Sequence, residues 1–271
     1  MKKVFAVLLA LVVAGTLFAA GGGQSGGGAP SYPTRPIQCI IPYPPGGGSD
    51  VLTRAIMKDI KMAQPLVAIN VEGGAGLVGA QQAYDSRPDG YTILAHNPVD
   101  VMGFDLSGLT DIALWRELET VAMVVTDYNV ICTNRNSGWR SLEDAVAWIK
   151  ANPNERVRWG VSGQRSINMV DSHRVARALG IFDNIVFVPF DGGAGTRRAL
   201  LSDEVRIETT TVSEIVAVAA AGDNVPLLVI GPQRAKSQPN VPCTVEKGIN
   251  VTTIKWRGYY APKGTPKPVL A

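Results

Sequence analysis

Residues 37–62 read IQCIIPYPPGGGSDVLTRAIMKDIKM, and this stretch decides the fold class. Ile37–Pro42 is a short apolar run that predicts a buried strand, and the Pro/Gly-rich turn after it leads into a helix over Asp50–Met62. Apolar residues on one face indicate that helix, at Val51, Ala55, Ile56 and Ile60. A strand, a glycine turn and a helix in this order predict one part of a β-α-β unit.

The same alternation continues along the chain. Val67–Val71 is a second predicted strand, a helix follows as far as Tyr84, and Tyr91–Ala95 is a third strand. Apolar runs on both sides of Asp127-Tyr128 predict a crossing into a second lobe, which repeats the pattern as far as Ile230. We therefore predict an α/β fold with two lobes, each built on a mostly parallel sheet flanked by helices.

The first residues predict a targeting segment rather than a part of the folded protein. Lys2 and Lys3 precede the uncharged apolar run Val4–Ala20, which is typical of a secretory signal. The GGGQSGGG tract that follows is typical of a flexible tether. Ala20 stands where a lipoprotein would carry its lipidated cysteine, so a lipid anchor is not expected. We predict a soluble exported or periplasmic protein whose signal peptide is removed.

These features give the expected domain organisation. Residues 1–20 form the signal peptide and 21–32 the Gly/Ser-rich tether. Residues 33–126 and 233–271 form a discontinuous lobe 1, and residues 127–232 form lobe 2.

Composition excludes several classes of function. The chain has 26 Lys plus Arg against 23 Asp plus Glu, and removal of Lys2 and Lys3 would leave 24 against 23. No basic stripe underlies this balance, so no nucleic-acid partner is expected. Two histidines and three cysteines cannot supply a His-rich metal centre or a four-cysteine zinc site, and no metal or cofactor is predicted. Cys39 and Cys132 lie in strand-like runs and are expected to be buried free thiols.

Two glycine loops could bind an anion. Pro42–Asp50 (PYPPGGGSD) and Val188–Thr196 (VPFDGGAGT) each lie between a predicted strand and a helix, one in each lobe. Glycine lets backbone N–H groups approach an oxyanion, and a helix N-terminus adds partial positive charge. Such a pair suits a ligand clamped between two lobes, although tight turns between strand and helix would have the same composition.

A third loop offers an alternative function. Gly74–Gly79 reads GAGLVG, the G-x-G-x-x-G spacing of dinucleotide-binding folds, and Asp100 lies roughly where a ribose-binding acid would stand. The alternative is therefore an exported Rossmann-type NAD(P)-dependent oxidoreductase. The loop follows the second predicted strand rather than the first, which disfavours this interpretation. Ser162 lacks the G-x-S-x-G turn of hydrolases, and we do not expect an enzyme.

Motifs spread over the chain resemble one known family. PTRPIQCIIPYPPGGGSD, EGGAGLVGAQQAYDSRPDGYTIL, WGVSGQRS, VPFDGGAG and NVPCTVEKG occur in this order between Pro33 and Pro268. Together they resemble the substrate-binding receptors of tripartite tricarboxylate transporters, the TctC/Bug family. The resemblance implies a two-lobed architecture like that of periplasmic binding proteins. It also implies capture of a small organic carboxylate (a di- or tricarboxylate, an amino acid or an aromatic acid) and delivery to membrane permease subunits.

The resemblance also implies a set of ligand-binding residues on three loops and one strand. They are Tyr43, Gly47, Gly48, Ser49 and Asp50, then Ser162, Gly163 and Gln164, then Phe190, Gly192, Gly193 and Ala194, and finally Thr210. Asp50 is expected to cap loop amides in the first helical turn rather than touch the ligand. Asp191 and the Thr209–Thr211 run depart from the family pattern. Relatives continue beyond the position of Ala271 with a helical segment, so the chain is expected to be C-terminally truncated.

Overall fold

The computed structural model describes residues 32–271, whose strands form two five-stranded sheets. The predicted signal peptide and residues 21–31 of the predicted tether lie outside the described part. The strands are β1 (Ile37–Ile41), β2 (Leu66–Asn70), β3 (Thr92–His96), β4 (Leu118–Asp127), β5 (Asn129–Asn134), β6 (Val157–Ser162), β7 (Ile185–Phe190), β8 (Ile207–Thr211), β9 (Asn224–Ile230) and β10 (Lys255–Pro262). The α-helices are α1 (Gly48–Asp59), α2 (Leu77–Tyr84), α3 (Pro98–Leu106), α4 (Leu114–Glu117), α5 (Leu142–Ala151), α6 (Ile167–Ala178), α7 (Gly192–Leu201), α8 (Val212–Ala220) and α9 (Lys267–Leu270).

The two sheets share one topology. The first has the order β2-β1-β3-β10-β4 and the second β7-β6-β8-β5-β9. In each sheet the first three strands are parallel, and the fourth is antiparallel to both of its neighbours. Four of the five strands therefore run in the same direction, which confirms the predicted two-lobed α/β fold with mostly parallel sheets. The reversed strand is in each case the one that the chain enters from the other sheet.

The crossings explain how one site can draw on both sheets. The chain passes from β4 to β5 through Tyr128, at the place predicted from the two apolar runs. It returns from β9 to β10 through residues 231–254. The loops that follow β1, β2, β3, β6, β7 and β8 all leave the carboxyl ends of strands that share a direction within their sheet. That end of an α/β sheet is where ligands usually bind.

Each sheet is covered by apolar side chains from its helices. Ile40, Ala80, Leu94 and Phe104 are buried together on one face of the first sheet. Ile131, Ile149, Trp159 and Val175 belong to the larger cluster on the second sheet. α5 begins as predicted from its sequence, because Ser141 and Asp144 cap each other's backbone N–H groups at the helix start.

α7 begins earlier than the sequence predicts. The sequence indicated a glycine loop over Val188–Thr196 before the helix, but the helix begins at Gly192. Gly192 has φ +70°, and its missing side chain leaves room for Pro44 of the other lobe. Close approach of the two lobes therefore explains the glycines, and the predicted loop is the first turn of the helix.

The segment after β9 packs differently from the predicted domain organisation, which placed residues 233–271 in lobe 1. Cys243 pairs with Val229 of β9, and Thr244 exchanges hydrogen bonds with Gly231. Ile249 and Val251 are buried in the core of the second sheet. Residues 235–251 thus cover the second sheet, because the apolar surface of that sheet beside β9 needs burial. The chain rejoins the first sheet at β10.

Cys39, Cys132 and Cys243 are buried and form no disulfide. Burial raises the pKa of Cys39 to about 12, and it raises that of Cys132 as well. The prediction of buried thiols at Cys39 and Cys132 is confirmed. Between residues 32 and 271, no helix is both long and apolar enough to cross a membrane.

Candidate functional site

A cavity lies where the loops of the two lobes meet. Its volume is about 40 Å³, room for a few water molecules. Backbone amides, hydroxyls and charged groups predominate in its lining. The lining residues are Tyr43, Gly47, Gly48, Ser49, Ala75, Asn97, Asp100, Ser162, Gly163, Ser166, Gly192, Gly193, Glu214, Lys255 and Arg257.

The loop after β1 brings backbone N–H groups to the cavity. Gly47 is the extended residue before α1, and no side chain caps that helix start. Asp50 is buried below the loop and accepts hydrogen bonds from the Gly46 N–H (2.9 Å) and from Arg54 Nε (2.8 Å). Burial raises the pKa of Asp50, but the bonds from Gly46, Asn70 and Arg54 outweigh it and hold the pKa below its usual value. The carboxylate therefore supports the loop.

Glu214 of α8 fills the space between the glycine loops. Its Oε1 accepts a hydrogen bond from the Gly48 N–H (2.9 Å), and its Oε2 accepts one from the Thr210 hydroxyl. A Cβ atom built on Gly193 would overlap the same carboxylate. Glu214 thus touches a loop of each lobe. Burial raises the pKa of Glu214, but the Arg257 guanidinium and these bonds outweigh it, so the pKa lies below its ordinary value and the carboxylate is ionised at neutral pH.

Two buried cations reach the cavity from β10. Arg257 Nη2 lies 3.2 Å from Glu214 Oε1 and donates to Thr211 Oγ1 at 3.1 Å. Lys255 Nζ donates to Asn168 Oδ1 at 3.0 Å. The two residues are spaced by two along a strand and therefore point to the same face of the sheet. Because β10 belongs to the first sheet, both bonds join the lobes.

Asp100 makes a further connection between the lobes. Its Oδ2 accepts a hydrogen bond from the Tyr43 hydroxyl (3.2 Å), and its Oδ1 accepts one from the N–H of Ile167 at the start of α6 (3.3 Å). Burial and the Asp100 carboxylate raise the pKa of Tyr43, so its hydroxyl stays protonated. The described structure is thus closed, with charged groups of both signs at the closure.

The structure brings many of the predicted site residues together. Those that line the cavity are Tyr43, Gly47, Gly48, Ser49, Ser162, Gly163, Gly192 and Gly193. The other predicted residues do not line it. Asp50 lies below the first loop, Ala194 is buried in α7, and Thr210 binds Glu214. Gln164 and Phe190 line a more open depression beside the cavity, together with Asp191.

Sequence reasoning missed the charged part of the lining. The sequence could have indicated Lys255 and Arg257, because two charges at alternate positions of a strand lie on one face and need partners if that face is buried. No sequence pattern indicated Glu214 as a site residue, since an acid in the first turn of a helix is common. The sequence indicated Asp100 only as the ribose-binding acid of the oxidoreductase alternative.

The G-x-G-x-x-G loop is used for packing. A Cβ atom on Gly79 would lie 2.7 Å from Pro42 Cβ, and one on Gly76 would lie 2.7 Å from His96 Nε2. His96 is buried, which lowers its pKa to about 4. These glycines let α2 sit close to β1 and β3, so close packing accounts for them without a dinucleotide.

Comparisons with known proteins agree with this architecture. Residues 52–271 match the family described as tripartite tricarboxylate transporter family receptor, TctC. Protein BugT of Bordetella pertussis is 28% identical over 265 residues, which cover 96% of this chain and 80% of BugT.

Two solved structures are similar. A TctC solute-binding protein from Polaromonas without ligand is 29% identical with a TM-score of 0.61, over 89% of this chain and 82% of that one. MatC from Rhodopseudomonas palustris with bound malate is 21% identical with a TM-score of 0.79, over 89% of this chain and 82% of MatC. This similarity shows that the two proteins share a fold. Since the family match spans most of the described residues, the chain belongs to the TctC family of tripartite tricarboxylate transporter receptors.

Proposed function

We propose that this chain is an exported receptor that binds a small organic carboxylate between its two lobes and presents it to the permease subunits of a tripartite tricarboxylate transporter. One observation carries the proposal. The Gly48 N–H and the Arg257 guanidinium already hold a carboxylate, that of Glu214, at the meeting point of the lobes. Backbone N–H groups and arginine are the donors that bind carboxylates most strongly. The site therefore has the chemistry that a carboxylate solute needs.

The relatives support the same class of solute. MatC was solved with malate, and it shares the two-lobed fold. Arg257 and Lys255, two residues apart on one strand, offer two positive charges to the two carboxylates of a small dicarboxylate. In this proposal lobe 1 comprises residues 33–126 and the chain from β10 onward, lobe 2 comprises 127–232 with the segment 235–251, and residues 1–20 are removed on export.

A binding screen tests the proposal. Thermal unfolding is followed with acetate, succinate, L-malate, adipate, citrate and L-glutamate, and each hit is titrated by calorimetry. One-site binding at a hundred times Kd stabilises the folded state by about 2.7 kcal/mol, which a melting curve resolves. Gly48→Val should abolish binding, because a side chain there would overlap Arg257 and Glu214 and block the amide.

Gly103→Ala is the matched control, since a Cβ atom at Gly103 would meet nothing within 4 Å. No saturable binding in the whole panel, or full affinity in Gly48→Val, would refute the proposed function.

A further inference from the structure

The carboxylate of Glu214 has the contacts that a bound solute would make. It accepts from the Gly48 N–H of one lobe and from Thr210 of the other, and it pairs with Arg257. It also lies against Gly193, at the start of α7. The glycine loops that were expected to hold a solute carboxylate therefore hold one that belongs to the chain.

The remaining space does not admit both carboxylates. The cavity of about 40 Å³ takes a few water molecules, and the Glu214 carboxylate already occupies the Gly48 N–H and the Arg257 Nη2 that a solute carboxylate would use. A solute that reaches Gly48 and Arg257 must therefore displace the Glu214 side chain.

The charges of the lining lead to the same conclusion. Lys255 and Arg257 contribute two positive charges, and Glu214 and Asp100 contribute two negative ones. With Glu214 in place the formal charges balance. Arg257 Nη1 keeps a second carboxylate partner in Asp127 Oδ2 at 3.4 Å, so withdrawal of Glu214 leaves Arg257 with one carboxylate in place of two. Its Nη2 and Lys255 then face the cavity without the Glu214 charge, which favours an incoming anion.

The same contacts also close the lobes. Gly48 and Arg257 belong to lobe 1, whereas Glu214 follows β8 of the second sheet. Their bonds join the two lobes through a side chain where a solute would otherwise join them.

We propose, on the basis of the proposed function, that Glu214 is an internal ligand that occupies the carboxylate site of the receptor and competes with the solute. Only a carboxylate that outcompetes Glu214 for Gly48 and Arg257 is bound. Glu214 thereby sets the affinity of the receptor and its selectivity among anions.

Acetate is a direct probe of this idea. Replacement of Glu214 by Ala removes a CH2–COO⁻ group, which has the size and charge of acetate. Acetate should therefore raise the melting temperature of Glu214→Ala by several degrees over sodium chloride at equal ionic strength. Wild type and Glu204→Ala, which alters an exposed glutamate paired with Arg158, should show no such shift. An equal shift in all three proteins, or no shift in Glu214→Ala, would overturn the proposal.

Glu214→Gln provides a second measurement that keeps the shape of the side chain. It removes the competing charge, so affinity for the best carboxylate of the panel should rise about tenfold. A merely structural role of Glu214 would lower the affinity instead, and unchanged or weaker binding overturns the proposal. If Glu214→Ala does not fold, this comparison decides.

The two proposals fail in different ways. If none of succinate, L-malate, adipate, citrate and L-glutamate binds to wild type or to either variant while acetate still stabilises Glu214→Ala, the proposed function fails and the internal ligand stands. If the panel binds wild type but loss of Glu214 brings no gain, the internal ligand fails and the receptor function stands.

Discussion

Glu208 should make the stability of this protein depend on pH. The residue is the second of β8 and is fully buried, and one carboxyl oxygen accepts a hydrogen bond from Asn224 Nδ2 at 2.6 Å. Its other oxygen has no hydrogen-bond partner among the described residues. Burial raises its pKa from the usual 4.5 to about 8, and the nearby Glu214 adds to the rise. The folded protein therefore holds a proton that the unfolded chain releases.

The direction and size of the effect follow from that difference. The pKa of Glu208 is higher in the folded state, so its protonation contributes to the free energy of unfolding. This contribution is fully present below pH 4.5 and is lost as the pH rises to about 8. Each pKa unit corresponds to about 1.4 kcal/mol. The loss should reach about 3 kcal/mol at pH 7 and about 5 kcal/mol above pH 8. Glu208→Gln mimics the protonated acid and should remove this dependence.

Denaturant unfolding at pH 4.5, 7 and 9 measures the effect. Glu208→Gln should match wild type at pH 4.5 and exceed its free energy of unfolding by several kcal/mol at pH 9. Glu204→Gln, which changes an exposed carboxylate near the start of the same strand, should follow wild type at every pH. If Glu208→Gln is equally or less stable than wild type at pH 9, the pKa of Glu208 is not higher in the folded state than in the unfolded chain, and the reasoning is wrong.

Three further outcomes are expected. Gly193→Val should abolish carboxylate binding in calorimetry because its side chain would fill the space of the Glu214 carboxylate; retained affinity would exclude the second loop from the site. Asp50→Asn should weaken binding by about 1 kcal/mol, since an amide oxygen can still accept from Gly46; tighter binding would mean that Asp50 faces the solute. His96 should stay neutral from pH 8 to about pH 5 by NMR, and it should destabilise the fold as the pH falls from 6.5 towards 4; titration near pH 6.5 would contradict its burial.

Local patterns were sufficient to predict the fold and the glycine loops. Ile37–Ile41, the turn after it and α1 are neighbours in sequence, so composition and periodicity indicated each of them. The crossing at Tyr128 was equally local, because two apolar runs flank it. Backbone amides at the cavity follow from these elements, since parallel strands place their loops at one edge.

The charged groups of the site depend on pairings that no local pattern contains. Lys255 and Arg257 reach the cavity because β10 inserts between β3 and β4, which lie more than a hundred residues earlier in the chain. Glu214 reaches Gly48 across the closure of the lobes, 166 residues away. The predicted role of Thr210 as a pocket residue differs from the structure because its hydroxyl is taken by Glu214.

The position of β10 also determines when this chain can finish folding. β4 pairs with β10 and with no other described strand, so the edge of the first sheet cannot form until residues 255–262 arrive. The second sheet draws all its strands from residues 129–230 and can assemble before then. When the chain is made from its N-terminus, lobe 2 should therefore fold first, while β4 stays unpaired as a site for aggregation or chaperone binding. The receptor gains Lys255 and Arg257 only with β10, so solute binding cannot begin before residues 255–262 have been added to the chain.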